Sequence, residues 1–278
     1  MKRKWLVLIA VLGLFVLLWS VSRFKREDTA GITKPWAKLN DEVGMTKPEV
    51  LTKEQVKVQD VIPASNSEPQ QVLDKDSVEQ LAQVLHEHLK LHPDDANAYY
   101  NLGNLYYQGA RYEDAVAPLQ KAVGLIPTDV DAHYVLGNTY QKLKRYGEAA
   151  KEFQQVVKLE PQNHTAFYNL GNAYSAQKKH QEAVDAYNKS VQIDPKSSMV
   201  YYVLASAYGH LNRPDEALTA YRKSVELDPN NAEARYALAL VQLVTGDFEG
   251  ATAQYNQLKT LNPEYAADLE KRIKSTRG

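Results

Sequence analysis

The chain contains no cysteine among its 278 residues. Disulfides, thiolate nucleophiles and cysteine-ligated zinc are thereby excluded. The redox compartment stays open, because a chain without thiols is stable in either setting. An excess of one charge is also missing. The 33 Lys and Arg residues against 34 Asp and Glu give a formal net charge of −1, so nothing marks a nucleic-acid binder. The patterns GxxxxGK[ST], GxSxG and HExxH do not occur, and they are signatures of phosphate loops, serine hydrolases and zinc proteases. No catalytic set and no cofactor are expected. His86, His88 and His92 form the one histidine cluster. His88 and His92 are four apart, as helix-borne metal ligands are. No acidic or cysteine partner stands at a fixed spacing, so they read as the polar face of a capping helix, and no metal is expected. Asn163-His164-Thr165 and Asn188-Lys189-Ser190 match the glycosylation triplet, a pattern common by chance.

Long apolar runs are lacking except at the start. After "MKRK", the stretch "WLVLIAVLGLFVLLWSVS" from Trp5 to Ser22 carries no charge. At about 1.5 Å of helical rise per residue it spans most of a ~30 Å hydrocarbon core. Trp5 and Trp19 stand near its ends, where amphipathic rings favour the membrane interface. A cleaved signal peptide is the main rival, but its apolar region is usually about 7–15 residues, and Ser20-Val21-Ser22 is a poor cleavage site. Residues 1–22 are therefore expected to form a single-pass transmembrane signal-anchor. Lys2, Arg3 and Lys4 are nearly balanced by Arg23, Lys25 and Arg26, so the positive-inside rule speaks softly. The short basic N-terminus favours an extracytoplasmic C-terminal part, with the cytoplasmic side as the alternative. Residues 23–76 mix Pro, Ser, Gln and charge without a sustained period. Such composition does not bury enough apolar area to offset chain entropy. They read as a tether, with one short helix around Pro48–Val58.

The remainder repeats itself. "NLGNLYYQGARYEDAV" at Asn101 returns as "VLGNTYQKLKRYGEAA" at Val135 and "NLGNAYSAQKKHQEAV" at Asn169. Weaker echoes begin at Val203 and Ala237, each start 34 residues after the last. Aligned, the units become columns. Leu102, Leu136, Leu170, Leu204 and Leu238 are each followed by a small residue: Gly103, Gly137, Gly171, Ala205 and Ala239. Glycine in a helix costs about 0.5–1 kcal/mol against alanine, so the glycines imply close approach of another helix. Tyr106, Tyr140, Tyr174 and Tyr208 follow one turn later on the same face. A second helix carries Ala115, Ala149, Ala183, Ala217 and Ala251, then the large Leu119, Phe153, Tyr187, Tyr221 and Tyr255. Pro127, Pro161, Pro195, Pro229 and Pro263 come next, each expected to end a helix.

Each unit thus reads as a helical hairpin whose apolar face is buried only by stacked neighbours. The columns and the period resemble the tetratricopeptide repeat family across Ala96–Tyr265 and, more weakly, across Ser77–Asp95. The resemblance implies an all-α, right-handed superhelical solenoid of paired antiparallel helices with a concave groove. Five units are expected at 96–129, 130–163, 164–197, 198–231 and 232–265, with a capping half repeat over 77–95 and a capping helix over 266–278. In the half repeat, Leu81, Val84, Leu85 and Leu89 form one stripe, and Asp76 or Ser77 is a candidate N-cap. Ala266, Leu269 and Ile273 do the same in the last helix. Three departures stand out. Pro118 lies inside a second helix, at a cost of about 3 kcal/mol unless the helix kinks or starts late. Arg235 replaces the aromatic or histidine that opens the other units, and Gln242 replaces the packing tyrosine.

The resemblance places the first helices on the concave surface. Tyr100, Tyr134, Tyr168, Tyr202 and Tyr236 form one column there, and Asn104, Asn138 and Asn172 stand four residues after the first three. Asparagine both donates to and accepts from a peptide backbone, and tyrosine adds a flat apolar body with a polar tip. These residues are the candidate peptide-binding groove. A grip on a chaperone's C-terminal carboxylate is not expected: Asn104 and Asn169 remain, but Tyr100, Val135 and Thr165 stand where other groups, including lysines, would be wanted. Leu240, Leu243 and Val244 make the C-terminal end apolar, either beneath the last helix or as a docking patch. The sequence therefore points to a non-enzymatic, membrane-anchored interaction scaffold that binds protein or peptide partners, with assembly of an envelope complex as a setting. A self-associating structural protein, a homo-oligomer, is the alternative.

Overall fold

The computed structural model describes residues 75–277. The anchor over 1–22, and the tether up to residue 74, lie outside the described residues. Among the described residues every regular element is a helix, and no helix is long and apolar enough to cross a membrane. Twelve helices follow one another: α1 (Lys75–Leu91), α2 (Ala96–Gln108), α3 (Tyr112–Leu125), α4 (Val130–Lys142), α5 (Tyr146–Leu159), α6 (His164–Ala176), α7 (His180–Ile193), α8 (Ser198–His210), α9 (Pro214–Leu227), α10 (Ala232–Val244), α11 (Phe248–Leu261) and α12 (Pro263–Arg277).

Local chemistry sets the ends of these helices. Asp95, Asp129, Asn163 and Asn231 accept from the amides of Ala98, Ala132, Ala166 and Ala234 at 2.9–3.0 Å, satisfying donors that the first helical turn leaves free. The first helix of each unit ends in a left-handed residue: Ala110, Lys144, Lys178, Asn212 and Gly246. The next amide then reaches back to a carbonyl five residues earlier, as in Arg145 to Tyr140 at 2.8 Å. This closure turns the chain into the second helix.

Packing follows the columns. Each second helix lies against its own first helix and the first helix of the next unit. Ala115, Ala149, Ala183, Ala217 and Ala251 are wholly buried at the crossing. The expected close approach is seen at the glycines. A Cβ on Gly171 would lie 2.4 Å from Tyr187, and one on Gly137 would lie 2.8 Å from Phe153. A second set of contacts centres on the tyrosine one turn later, within each unit and to the unit before it. Arg111, Arg145, Lys179 and Arg213 lie over the rings of Tyr106, Tyr140, Tyr174 and Tyr208. The hydroxyls of the same column meet His86, Gln120, Gln154 and Asn188 of the preceding second helix.

Several expectations need correction. The buried stripe of α1 is Val78, Ala82, Leu85 and Leu89, whereas Val84 is 50% exposed. The α1 helix stands in the register of a second helix, and only one side of it meets α2, so Val84 points away. Helix α1 also starts before Asp76 and Ser77, so neither is its N-cap. Helix α3 runs unbroken through Pro118 from its start at Tyr112, without the late start that would spare it. The amide missing at Pro118 would have faced the carbonyl of Asp114, which lies in an exposed first turn. The helices preceding the proline column end two residues before it, and Pro263 itself opens α12, where its fixed φ suits a first helical position. The last helix therefore begins three residues before 266.

Candidate peptide-binding groove

First helices of successive units touch one another, α2 against α4 and α10 against α12. The predicted tyrosines and asparagines stand on these first helices. Tyr100, Tyr134, Tyr168, Tyr202 and Tyr236 are all half-buried. The ring of each middle tyrosine leans on the large residue of its own second helix. Tyr134 meets Phe153 at 5.9 Å, Tyr168 meets Tyr187 at 6.3 Å, and Tyr202 meets Tyr221 at 5.7 Å between centroids. One ring face is thus fixed by packing.

The hydroxyls and amides form rungs. Asn169 donates to the Tyr134 hydroxyl at 2.9 Å, and Gln141 donates to the Asn169 carbonyl at 3.1 Å. Both bonds join α4 to α6. The Tyr187 hydroxyl donates to Asn172 Oδ1 at 2.7 Å, and among the described residues no group accepts from the Asn172 amide. Asn138 stands one turn from Tyr134 and, with Asn169, opposes the rise in pKa of its hydroxyl. Burial pushes the Tyr100 hydroxyl up to about 12, with Asp131 and Asp129 adding to the shift. Burial also raises Tyr134 and Tyr202. These phenols stay protonated at neutral pH and remain donors. The surface therefore offers neutral donors and aromatic faces at a helical-repeat spacing, suited to an extended backbone with carbonyls to satisfy.

The array does not treat all the candidates alike. Tyr236 stacks on Tyr265 at 4.8 Å and 19°, and its hydroxyl donates to the Asp268 carboxylate. Both partners lie on α12, so the fifth rung is closed by the chain itself. Leu243 is buried under α12 with Leu269 and Ile273, Leu240 is half-buried, and Val244 is 79% exposed. Gln141 was missed by sequence reasoning, and Asn169 was considered only for a carboxylate grip and not as part of the tyrosine ladder. Their signal, a polar residue beside the tyrosine column, is not repeated in every unit. Asn169 is also engaged internally, which separately weakens any carboxylate grip.

The histidine cluster is spread over other duties. His88 bonds to Asp95 at 2.9 Å, and Asp95 also caps α2. His86 meets the Tyr106 hydroxyl at 3.1 Å. Among the described residues no group of three His, Cys, Asp or Glu side chains is placed to hold a metal ion.

Comparison with known proteins agrees with this geometry. A family model described as tetratricopeptide repeat matches residues 134–198 and 202–266. A model of anaphase-promoting complex, cyclosome, subunit 3 matches residues 79–156. No curated protein matches. Among solved structures, YrrB, described as a TPR protein with an unusual peptide-binding site, is 23% identical with a TM-score of 0.60, covering 68% of this chain and 99% of its own. Residues 41 to the end of MamA from Desulfovibrio magneticus RS-1 are 25% identical, with a TM-score of 0.52 over 58% of this chain and 92% of that one. PilF of Pseudomonas aeruginosa is 22% identical, with a TM-score of 0.52 over 65% and 90%. Repeat period, helix pairing, family models and structural likeness converge: the chain belongs to the tetratricopeptide repeat family, a family of protein-interaction scaffolds.

Proposed function

We propose that this protein captures an extended segment of a partner protein on the inner face of α2, α4, α6 and α8, using Tyr100, Asn104, Tyr134, Asn138, Tyr168, Asn172 and Tyr202. The observation that carries this reading is the set of half-buried tyrosines whose rings are braced from behind, while among the described residues no group accepts from the Asn172 amide beside them. YrrB, of similar fold, has a peptide-binding site of its own. Tyr236 is assigned to closing the groove. The reading goes on to place the array on a membrane through residues 5–22, outside the cytoplasm, with a role in envelope assembly. Its support is the uncharged run from Trp5 to Ser22.

A chain without cysteine makes the test clean. Single cysteines at Asn104 or Asn138 should cross-link a partner in cells, and Tyr134→Ala should weaken that product. Equal cross-linking from Gln155, exposed on a second helix, would sink the groove reading. Protease digestion of a C-terminal tag from outside spheroplasts should succeed, and protection until lysis would turn the array inward.

Self-association has one observation in its favour. Val84 and Leu91 on α1 are 50% and 70% exposed, and they lie two turns apart on the helix that opens the array. Light scattering of the intact protein decides it, since a strict monomer at high concentration removes this reading.

A further inference from the structure

We propose that His133 is a proton-dependent clamp between the first and second repeat units, holding their junction while its imidazole carries two protons and releasing it when one is lost. His133 lies in the first turn of α4 and is 7% exposed. Its Nδ1 stands 2.7 Å from Glu152 Oε2 on α5. Its Nε2 stands 3.1 Å from the carbonyl oxygen of Pro127, in the link that follows α3. A carbonyl and an ionised carboxylate only accept hydrogen bonds, whereas a neutral imidazole has a single N–H. Both contacts are made together only by the imidazolium. Deprotonation leaves one buried nitrogen lone pair facing an oxygen lone pair across the junction.

The charged groups acting on the ring are acidic. Glu152 comes from α5 and Asp129 from the cap of α4, while the α3 side contributes a carbonyl and no charge. The hydrogen bond to Glu152 raises the His133 pKa above its ordinary 6.5, with Pro127 and Asp129 adding to it and desolvation opposing it. A raised folded-state value means the stabilisation is complete below 6.5 and fades as pH climbs through the folded value.

The same protein carries a control. In the fifth unit the column is occupied by Arg235, which donates to the Pro229 carbonyl at 2.7 Å and to Gln254 at 2.9 Å. That junction has the same carbonyl latch, made by a permanent cation with a neutral partner. In the third unit the column holds Phe167, which has no polar atom to make the latch. The array therefore contains one titratable joint and one fixed joint in equivalent places.

The test uses the full chain. Side-chain NMR should show His133 titrating above pH 6.5. The thermal midpoint of the wild type should fall by about 3 °C relative to His133→Arg between about pH 6 and 8.5. Comparison with this variant removes the contribution of the other histidines. Titration at or below 6.5, or a midpoint difference that does not change with pH, overturns the proposal. Should His133→Arg fail to fold, Glu152→Gln serves instead, since it copies the neutral partner Gln254 of the fifth unit. It should lower the His133 titration toward 6.5, and an unmoved titration would refute the clamp.

Discussion

The third and fifth units are written on one template and end in opposite roles. In the third, Tyr168 is half-buried with its ring braced by Tyr187, and Lys179 covers Tyr174. In the fifth, Tyr236 is sealed by Tyr265 and Asp268. The outer contact is inverted as well. Gln242 stands where the tyrosine would be, Asp247 where the cation would be, and Arg222 where the preceding amide would be. Gln242 and Arg222 both meet Asp247, at 2.8 and 3.5 Å. Departures that look independent along the chain are one local rearrangement in space. A unit inside the array must leave its inner face open and satisfy two neighbours. The last full unit must stop the array, and α12 does so with polar residues outward.

The largest break in this contrast should come from the seal. Leu269 is wholly buried between α11 and α12, and Leu269→Ala should destabilise by about 2–4 kcal/mol. Hydrogen exchange should rise first in α12, and Tyr236 should become accessible as a fifth rung. If α2 to α8 lost protection equally, the ends would not be separable.

The next test concerns glycine. Gly171→Ala drives a methyl into the Tyr187 ring and should cost about 1–3 kcal/mol, while Gly209→Ala, with open space around it, should stabilise by about 0.5–1 kcal/mol. Chemical denaturation should show the same substitution with opposite signs. Equal effects would mean that glycine is kept for backbone freedom and not for the close crossing. The fourth unit already carries Ala205 in one cluster with Tyr221, so a methyl is accommodated there, which sets the lower end of the range.

Asp247→Ala should remove the cap on Gly250 and the partner of Gln242 together, at about 1 kcal/mol. The matching Arg145→Ala in the second unit removes an exposed pair and a stacking cation, and should cost less. The smallest effects belong to the turns. Lys144→Gly relieves a left-handed residue and should gain about 0.5 kcal/mol, whereas Gly246→Ala should lose a similar amount. Thermal midpoints read both.

These contrasts show where sequence reasoning reached and where it stopped. The close crossing at Gly103, Gly137 and Gly171 was legible, because a glycine kept in a helix at a fixed period has few other physical reasons. The inner tyrosine column was legible as a column. The closure of Tyr236 was not, since its partners Tyr265 and Asp268 belong to a helix outside the repeat and share no period with it. Asn169 was not read as part of the ladder because its column is irregular: Asn101 and Asn169 are polar, whereas Val135, Val203 and Ala237 are not. The outward turn of Val84 was hidden because a helix of the right period says nothing about how many neighbours it has.

What the sequence by itself determined is the unit: period, helix pairs, caps, and the alternation of small and large side chains, all set by contacts within about forty residues and by backbone sterics that act locally. What only the tertiary structure decided is which members of a column do different work. Tyr134 and Tyr236, or His133 and Arg235, occupy equivalent places in the repeat. Their protonation, exposure and freedom to bind depend on what the adjacent helix brings against them, and packing across helices sets that local environment.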